Sequence, residues 1–210
     1  MKLGNIFFAL AVTVSMLMTA SCDSVRHCDS SVPYDIQNGR IVFQTPPRVE
    51  GQKSVLGLAV EPMKVVRVGF IGLGMRGPGA VERFTHIEGT EIKALCDLYP
   101  ERAAAAQEIL KKAGRPHAQE YSGEDGWKEL CQRDDIDLVY IVTPWQNHVE
   151  MAVFAMEMGK HVAVEVPAAT SLAECWELVN TAERTQRHCM MLENCVYDFF
   201  EMTALNMAQQ

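Results

Sequence analysis

Between Val65 and Gly77 the chain reads Val-Val-Arg-Val-Gly-Phe-Ile-Gly-Leu-Gly-Met-Arg-Gly, and this stretch constrains the fold more than any other. An apolar run of strand length passes directly into three glycines, Gly72, Gly74 and Gly77, spaced G-x-G-x-x-G. The first position permits a tight turn and the second lets backbone approach a phosphate. The third lets the following helix pack closely on the strand. The N-terminus of that helix offers unpaired N–H groups and a partial positive charge to an anion. A second strand-like run, Glu91 to Cys96, ends at Asp97. That places an acid about 20 residues past the turn, where a carboxylate accepts hydrogen bonds from a ribose diol and repels a 2′-phosphate. The pattern predicts a dinucleotide site that takes NAD in preference to NADP. Its bland alternative is a glycine turn closing an ordinary βα unit.

From Val65 onward short apolar runs alternate with amphipathic ones. Strands are expected at Val65–Ile71, Glu91–Cys96, Leu138–Val142, His161–Glu165 and Cys189–Leu192. Helices are expected at Gly79–Ile87, Pro100–Ala113, Gly126–Gln132, Asn147–Met158 and Ser171–Thr185, with a last one beginning near Tyr197. Ser171 with Glu174 spells a capping box, and Pro100 suits a first helical turn. Strand–helix alternation implies an α/β fold, a doubly wound parallel sheet with right-handed crossovers. Met151, Met156 and Met158 have helical spacing and read as core.

The first 22 residues read as an address. Lys2 precedes a mostly apolar run from Ile6 to Leu17, and Thr19-Ala20-Ser21-Cys22 follows as a small-residue cleavage site ending in cysteine. The apolar run is shorter than the span of about 20 residues a membrane helix needs. A lipoprotein signal acylated at Cys22 is the expectation, although Thr19 stands where leucine is usual. It implies export and attachment to the bacterial envelope through a lipid anchor only. Residues 23–63 lack sustained periodicity and read as a tether, with Arg40–Phe43 as one candidate short strand. The formal net charge of −8 argues against a nucleic-acid partner. Of the seven cysteines, Cys96, Cys131, Cys175, Cys189 and Cys195 lie in or beside apolar segments and read as buried thiols. No Cys or His spacing matches a metal site.

In a doubly wound sheet, ligands bind beyond the C-terminal ends of the strands. Three clusters fall there: Thr143-Pro144-Trp145-Gln146-Asn147-His148, Glu165-Val166-Pro167 and Glu193-Asn194-Cys195. All three are expected on the nicotinamide side of the glycine turn. Read alone, His148 divides evenly between a ligand and a satisfied first-turn histidine, whereas a functional role is favoured for Glu165.

These motifs together resemble the Gfo/Idh/MocA sugar oxidoreductases: the glycine turn, Cys96-Asp97, Thr143-Pro144-x-x-x-His148, and Gly159-Lys160-His161-Val162 leading to Glu165-x-Pro167. That family normally carries Glu-Lys-Pro, its lysine contacting the sugar hydroxyl being oxidised, but this chain has Val166. With Met75-Arg76-Gly77-Pro78-Gly79, Trp145 to His148 and Met191 to Phe200, the departure resembles glycoside hydrolase family 109, the NAD-dependent α-N-acetylgalactosaminidases. The resemblance implies NAD contacts at Met75, Arg76, Asp97, Trp145, Gln146, Asn147, His148, Glu165, Val166 and Asn194, beside Gly72, Gly74 and Gly77. It also implies a glycan substrate with terminal N-acetylgalactosamine and a redox route in place of two flanking carboxylates. Transient oxidation at C3 acidifies the C2 hydrogen, elimination expels the glycosidic oxygen, water adds, and the ketone is reduced again. Such a closed cycle suits an exported enzyme without a cellular NAD pool.

Members of this family continue past the position of Gln210 into a second α+β domain that carries the catalytic residues. The expectation is a Rossmann domain over residues 64–194, the start of a truncated substrate domain over 195–210, and catalytic residues beyond Gln210. A homo-oligomer is left open. The rivals are a net sugar or inositol dehydrogenase of the wider family, and an inactive NAD-binding module.

Overall fold

A computed structural model describes residues 34–43, 48, 52–195 and 198–209. The chain divides into two units, residues 1–46 and 47–210. The proposed signal and Cys22 lie outside the described residues. In the first unit, β1 (Tyr34–Gln37) and β2 (Arg40–Phe43) form an antiparallel hairpin. Its turn is Asn38-Gly39, both with positive φ, the chemistry a two-residue hairpin loop demands. The Arg40–Phe43 strand is therefore present, with Tyr34–Gln37 as a partner that polar composition concealed.

The second unit is a six-stranded sheet in the order β5-β4-β3-β6-β7-β8, parallel throughout. The strands are β3 (Val66–Ile71), β4 (Thr90–Asp97), β5 (Gln119–Ser122), β6 (Leu138–Ile141), β7 (His161–Glu165) and β8 (Cys189–Leu192). Counted within the sheet, this is the doubly wound 3-2-1-4-5-6 order. The order reverses between β3 and β6, so the crevice opens at their C-terminal ends. The helices are α1 (Gly77–Phe84), α2 (Pro100–Lys112), α3 (Gly126–Cys131), α4 (His148–Glu157), α5 (Leu172–Thr185) and α6 (Phe199–Gln209). The Ser171–Glu174 capping box forms at the start of α5.

Strand side chains alternate between two cores, one on each sheet face. Val68 and Phe70 of β3 join Ala80, Val81, Ala103, Ala106 and Leu110 under α1 and α2. Ile71 joins Trp127, Leu130, Val149, Ala152, Met156 and Leu178 under α3, α4 and α5. Met151 and Met156 are core, but Met158 is part-exposed past the end of α4. The thiols correct the sequence expectation in part. Cys96 and Cys131 are buried, Cys189 is half-buried, and Cys175 and Cys195 are exposed; all five are free. Cys175 falls on the solvent face of α5, and Cys195 lies in the exposed turn after β8, so neither belongs to the apolar stripe beside it.

Arg48, Gln52 and Val55, in the stretch read from the sequence as tether, contact the second unit's helical face. Arg48 donates to both carboxylate oxygens of Glu183, at 2.9 and 2.8 Å, and Gln52 donates to Glu183 and Asn180 at 2.8 and 3.1 Å. Val55 packs on the core beneath α3, α4 and α5.

Candidate functional site

The glycines following β3 are fixed by distances that a side chain would violate. Gly72 has φ +94°, and a Cβ there would stand 2.5 Å from the Val142 carbonyl oxygen. A Cβ on Gly77 would stand 2.2 Å from the Gly72 carbonyl oxygen. At Gly74 a Cβ would meet only Arg102 Nη1, in ordinary contact at 3.6 Å, so no backbone crowds this glycine. The turn closes on itself at the first and third glycines and opens at the second, the shape a pyrophosphate needs. Gly77 begins α1, so the N-terminus of that helix, with Pro78 in its first turn, directly follows the turn. On these observations the site fits a dinucleotide.

Asp97 ends β4 directly behind the turn. Its Oδ2 accepts the Leu73 N–H at 2.6 Å, and its Oδ1 accepts the Tyr99 N–H at 3.1 Å and lies 3.3 Å from Arg102 Nη1. The carboxylate is buried; Oδ1 already accepts from two donors, and Oδ2, with one, has a further lone pair for a ribose hydroxyl. Burial, and then the charge of Asp97, push the neighbouring Cys96 thiol up to about 12, so it stays protonated. The contact to Leu73 N–H and the proximity of Arg102 escaped the sequence reading. An arginine five residues after the acid was the only available signal.

The other strand ends converge on the turn through Arg76. Its Nε lies 3.6 Å from Glu165 Oε1 at the end of β7, and its Nη2 lies 3.4 Å from Asn194 Oδ1 just past β8. Three residues named from separate parts of the chain thus form one cluster. Glu165 is 7% exposed, whereas Met75 is 96% and Trp145 61% exposed. Gln146 is exposed, and Asn147 and Val166 are half-buried. A short 3-10 turn, Trp145–Asn147, carries this group into α4.

His148 is fully buried at the head of α4. Its Nδ1 lies 2.7 Å from the Pro167 carbonyl oxygen, and its Nε2 lies 2.8 Å from that of Thr143. The ring bolts the β6 and β7 loops together from behind. A neutral ring donates to one of these carbonyls and a protonated ring to both. His148 thus shapes the crevice wall with a side chain enclosed by protein. Among the described residues no group of three His, Cys, Asp or Glu could hold a metal ion.

The family model for the Gfo/Idh/MocA oxidoreductases, described as an NAD-binding Rossmann fold, matches residues 66–193. The chain is 68% identical over 166 residues to "Glycosyl hydrolase family 109 protein 1" of Bacteroides fragilis, covering 79% of this chain and 36% of that one. It is 57% identical over 163 residues to an "Alpha-N-acetylgalactosaminidase" of the same organism, covering 78% of this chain and 38% of the relative. The chain thus spans less than half the length of these relatives. Among solved structures it resembles myo-inositol dehydrogenase from Lactobacillus casei in complex with NAD(H) and myo-inositol. The TM-score is 0.60 at 27% identity, covering 69% of this chain and 41% of that one.

Proposed function

The chain belongs to the Gfo/Idh/MocA oxidoreductase family, with its NAD-binding Rossmann fold, and on that premise we propose that it is the cofactor-binding portion of a glycosidase releasing terminal α-linked N-acetylgalactosamine. The observation that carries the reading is the Arg76–Glu165–Asn194 cluster, with Val166 where a dehydrogenase of this family has lysine. A net dehydrogenase uses that lysine at the hydroxyl it oxidises; a valine supplies no such group. The likeness to relatives named as glycosidases points the same way.

Bound NAD⁺ supplies a reversible acceptor for hydride, so that the sugar is oxidised at C3, eliminates its aglycone, takes up water and is reduced again. The chain's own residues act around that chemistry. Gly72 and Gly77 shape the turn, and Gly74 exposes backbone to the pyrophosphate. Asp97 accepts from the ribose diol. Arg76 is held between Glu165 and Asn194, so the turn and the two far strand ends share one geometry. His148 fixes the loop that presents Trp145, Gln146 and Asn147.

Export and acylation at Cys22 form part of the same proposal. A cycle that regenerates its own cofactor works without an external NAD pool, which is the condition outside the cytoplasm. Membrane partitioning lost on Cys22→Ser supports the anchor, and an unacylated wild-type chain refutes it.

The enzymatic test joins this chain to the C-terminal region of the Bacteroides fragilis α-N-acetylgalactosaminidase. The fusion should release aglycone from a chromogenic α-N-acetylgalactosaminide without building NADH, and in heavy water the product should carry deuterium at C2. NADH accumulating in proportion to sugar consumed would establish the dehydrogenase instead. Product without deuterium would refute the elimination route.

A further inference from the structure

The end of the sheet away from the crevice carries basic groups that the cofactor site does not use. The turns leading into the neighbouring strands β7 and β8 bring together His161, Arg187 and His188, all half-buried. The His161 and His188 rings lie 5.0 Å apart, and the His188 N–H donates to His161 Nδ1 at 3.0 Å. A neutral ring that accepts at Nδ1 carries its proton on Nε2, so the His161 Nε2 is an N–H donor. Among the described residues neither that nitrogen nor the His188 ring has a hydrogen-bond partner.

Arg187 completes the cluster. Its Nε is buried without a hydrogen-bond partner, the one such side-chain nitrogen or oxygen among the described residues. A Cβ on Gly159 would stand 3.7 Å from Arg187 Nη2, so the guanidinium lies against the turn that leads into β7. The C-terminal end of α4 attracts a cation there, but no carboxylate among the described residues pairs with Arg187. The charges of His188 and Arg187 both act on His161. Asp137, the acid that also acts on it, is engaged at both oxygens by Arg67, at 2.9 and 2.6 Å. A buried donor left unpaired costs free energy that a charged acceptor recovers.

We propose that Arg187, His161 and His188 form a binding site for a small tetrahedral oxyanion, phosphate or sulfate, at the N-terminal end of β7 and β8. The guanidinium supplies the permanent charge, and its planar fork suits an oxyanion. His161 adds a donor in its neutral form, and His188 adds charge as it protonates. Occupancy ties the turn after α4 to the turn after α5, at the opposite end of the sheet from the glycine turn.

The test follows the imidazole Cε1–H signals of the 210-residue chain during titration with sodium phosphate, with sodium sulfate, and with sodium chloride at matched ionic strength. An oxyanion should shift the His161 and His188 signals with one common dissociation constant. It should also raise the His188 midpoint by about one unit, the effect of a near opposite charge. Chloride should do neither. Arg187→Gln should weaken oxyanion binding at least about tenfold, the size of one charge-assisted hydrogen bond. Equal shifts with chloride would reflect screening alone and overturn the proposal, as would equal oxyanion affinity in Arg187→Gln and the parent. If Arg187→Gln does not fold, His188→Gln decides: read at His161, binding should weaken at least about threefold, and unchanged affinity overturns the proposal. The titration is repeated with NAD⁺, which competes for the glycine turn. Shifts that persist keep the anion at the histidines, and shifts that vanish assign it to the turn and overturn the proposal.

Discussion

Gly72, Gly74 and Gly77 belong to one motif but answer to different forces, and substitution separates them. A Cβ on Gly77 would stand 2.2 Å from a backbone oxygen that cannot step aside. Gly77→Ala should therefore cost at least about 1–3 kcal/mol of stability, the range of overpacked sites, measured by urea unfolding. At Gly74 the nearest atom is the end of a flexible side chain at 3.6 Å. Gly74→Ala should unfold within about 0.5 kcal/mol of the parent, as ordinary surface changes do, yet lose NAD⁺ affinity because the methyl fills the phosphate's approach. Wild-type NAD⁺ affinity in Gly74→Ala would remove the pyrophosphate from this turn. The motif was legible because its chemistry is local: a strand, a spacing and an acid at a set distance. Arg102 and the backbone bonds of Asp97 were not, since they depend on how the start of α2 sits against the turn. His148 shows the same limit. Its spacing after Thr143-Pro144 marks it, but only the fold shows that its nitrogens face two carbonyls instead of the crevice.

At the scale of elements, what escaped the sequence was whatever lacks an apolar period. Strand β5, Gln-Glu-Tyr-Ser, is a polar edge strand with no fully buried residue, so no alternation announces it. The segment 48–58 is likewise aperiodic, yet it supplies Arg48 and Gln52 to Glu183, whose side chain is 2% exposed. Arg48→Ala should cost about 1–3 kcal/mol, because a buried charged group loses a partner, and Glu183→Gln should restore part of that loss by removing the charge. An Arg48→Ala cost that Glu183→Gln deepens by its full single-mutant value would show two independent effects and no coupling. The β7–β8 edge carries a pH dependence. The His161 Nδ1 accepts the His188 N–H at 3.0 Å, which requires that nitrogen unprotonated. Burial, then the charges of His188 and Arg187, hold His161 below its ordinary value of 6.5. The unfolded chain therefore takes up this proton first. Stability from this group is complete above about 6.5 and is lost as pH falls through and below it. Unfolding free energy should decline from pH 7.5 to 5.5, and His161→Gln should flatten the decline; an equally steep decline in the variant would assign it to other groups.

Across the whole sheet the strand order follows from alternation of strand and helix, and it places the crevice between β3 and β6 regardless of loop detail. That is why the sequence alone groups residues as far apart as Arg76, Glu165 and Asn194, which the fold brings together. What sequence periodicity cannot supply is how firmly the crevice walls are joined, and the structure joins them by a few contacts. Arg76 links the turn to β7 and β8, His148 links the β6 loop to the β7 loop, and Asp97 links β4 to the turn. A dinucleotide bound across these walls adds its binding free energy to the stability of both cores, since neither wall keeps its geometry once the sheet opens. At about a hundred times the dissociation constant, mass action contributes about 2.7 kcal/mol. For a chain of this size that corresponds to a rise in Tm of roughly 5–11 °C. Thermal unfolding of the 210-residue chain should show a rise of that order with NAD⁺, and a smaller one with the same concentration of NADP⁺, because Asp97 repels the phosphate. Asp97→Asn should bring the two shifts together from the NADP⁺ side. A Tm unmoved by saturating NAD⁺ would mean that the walls do not close on one ligand, and the cofactor reading of the whole crevice would fall with it.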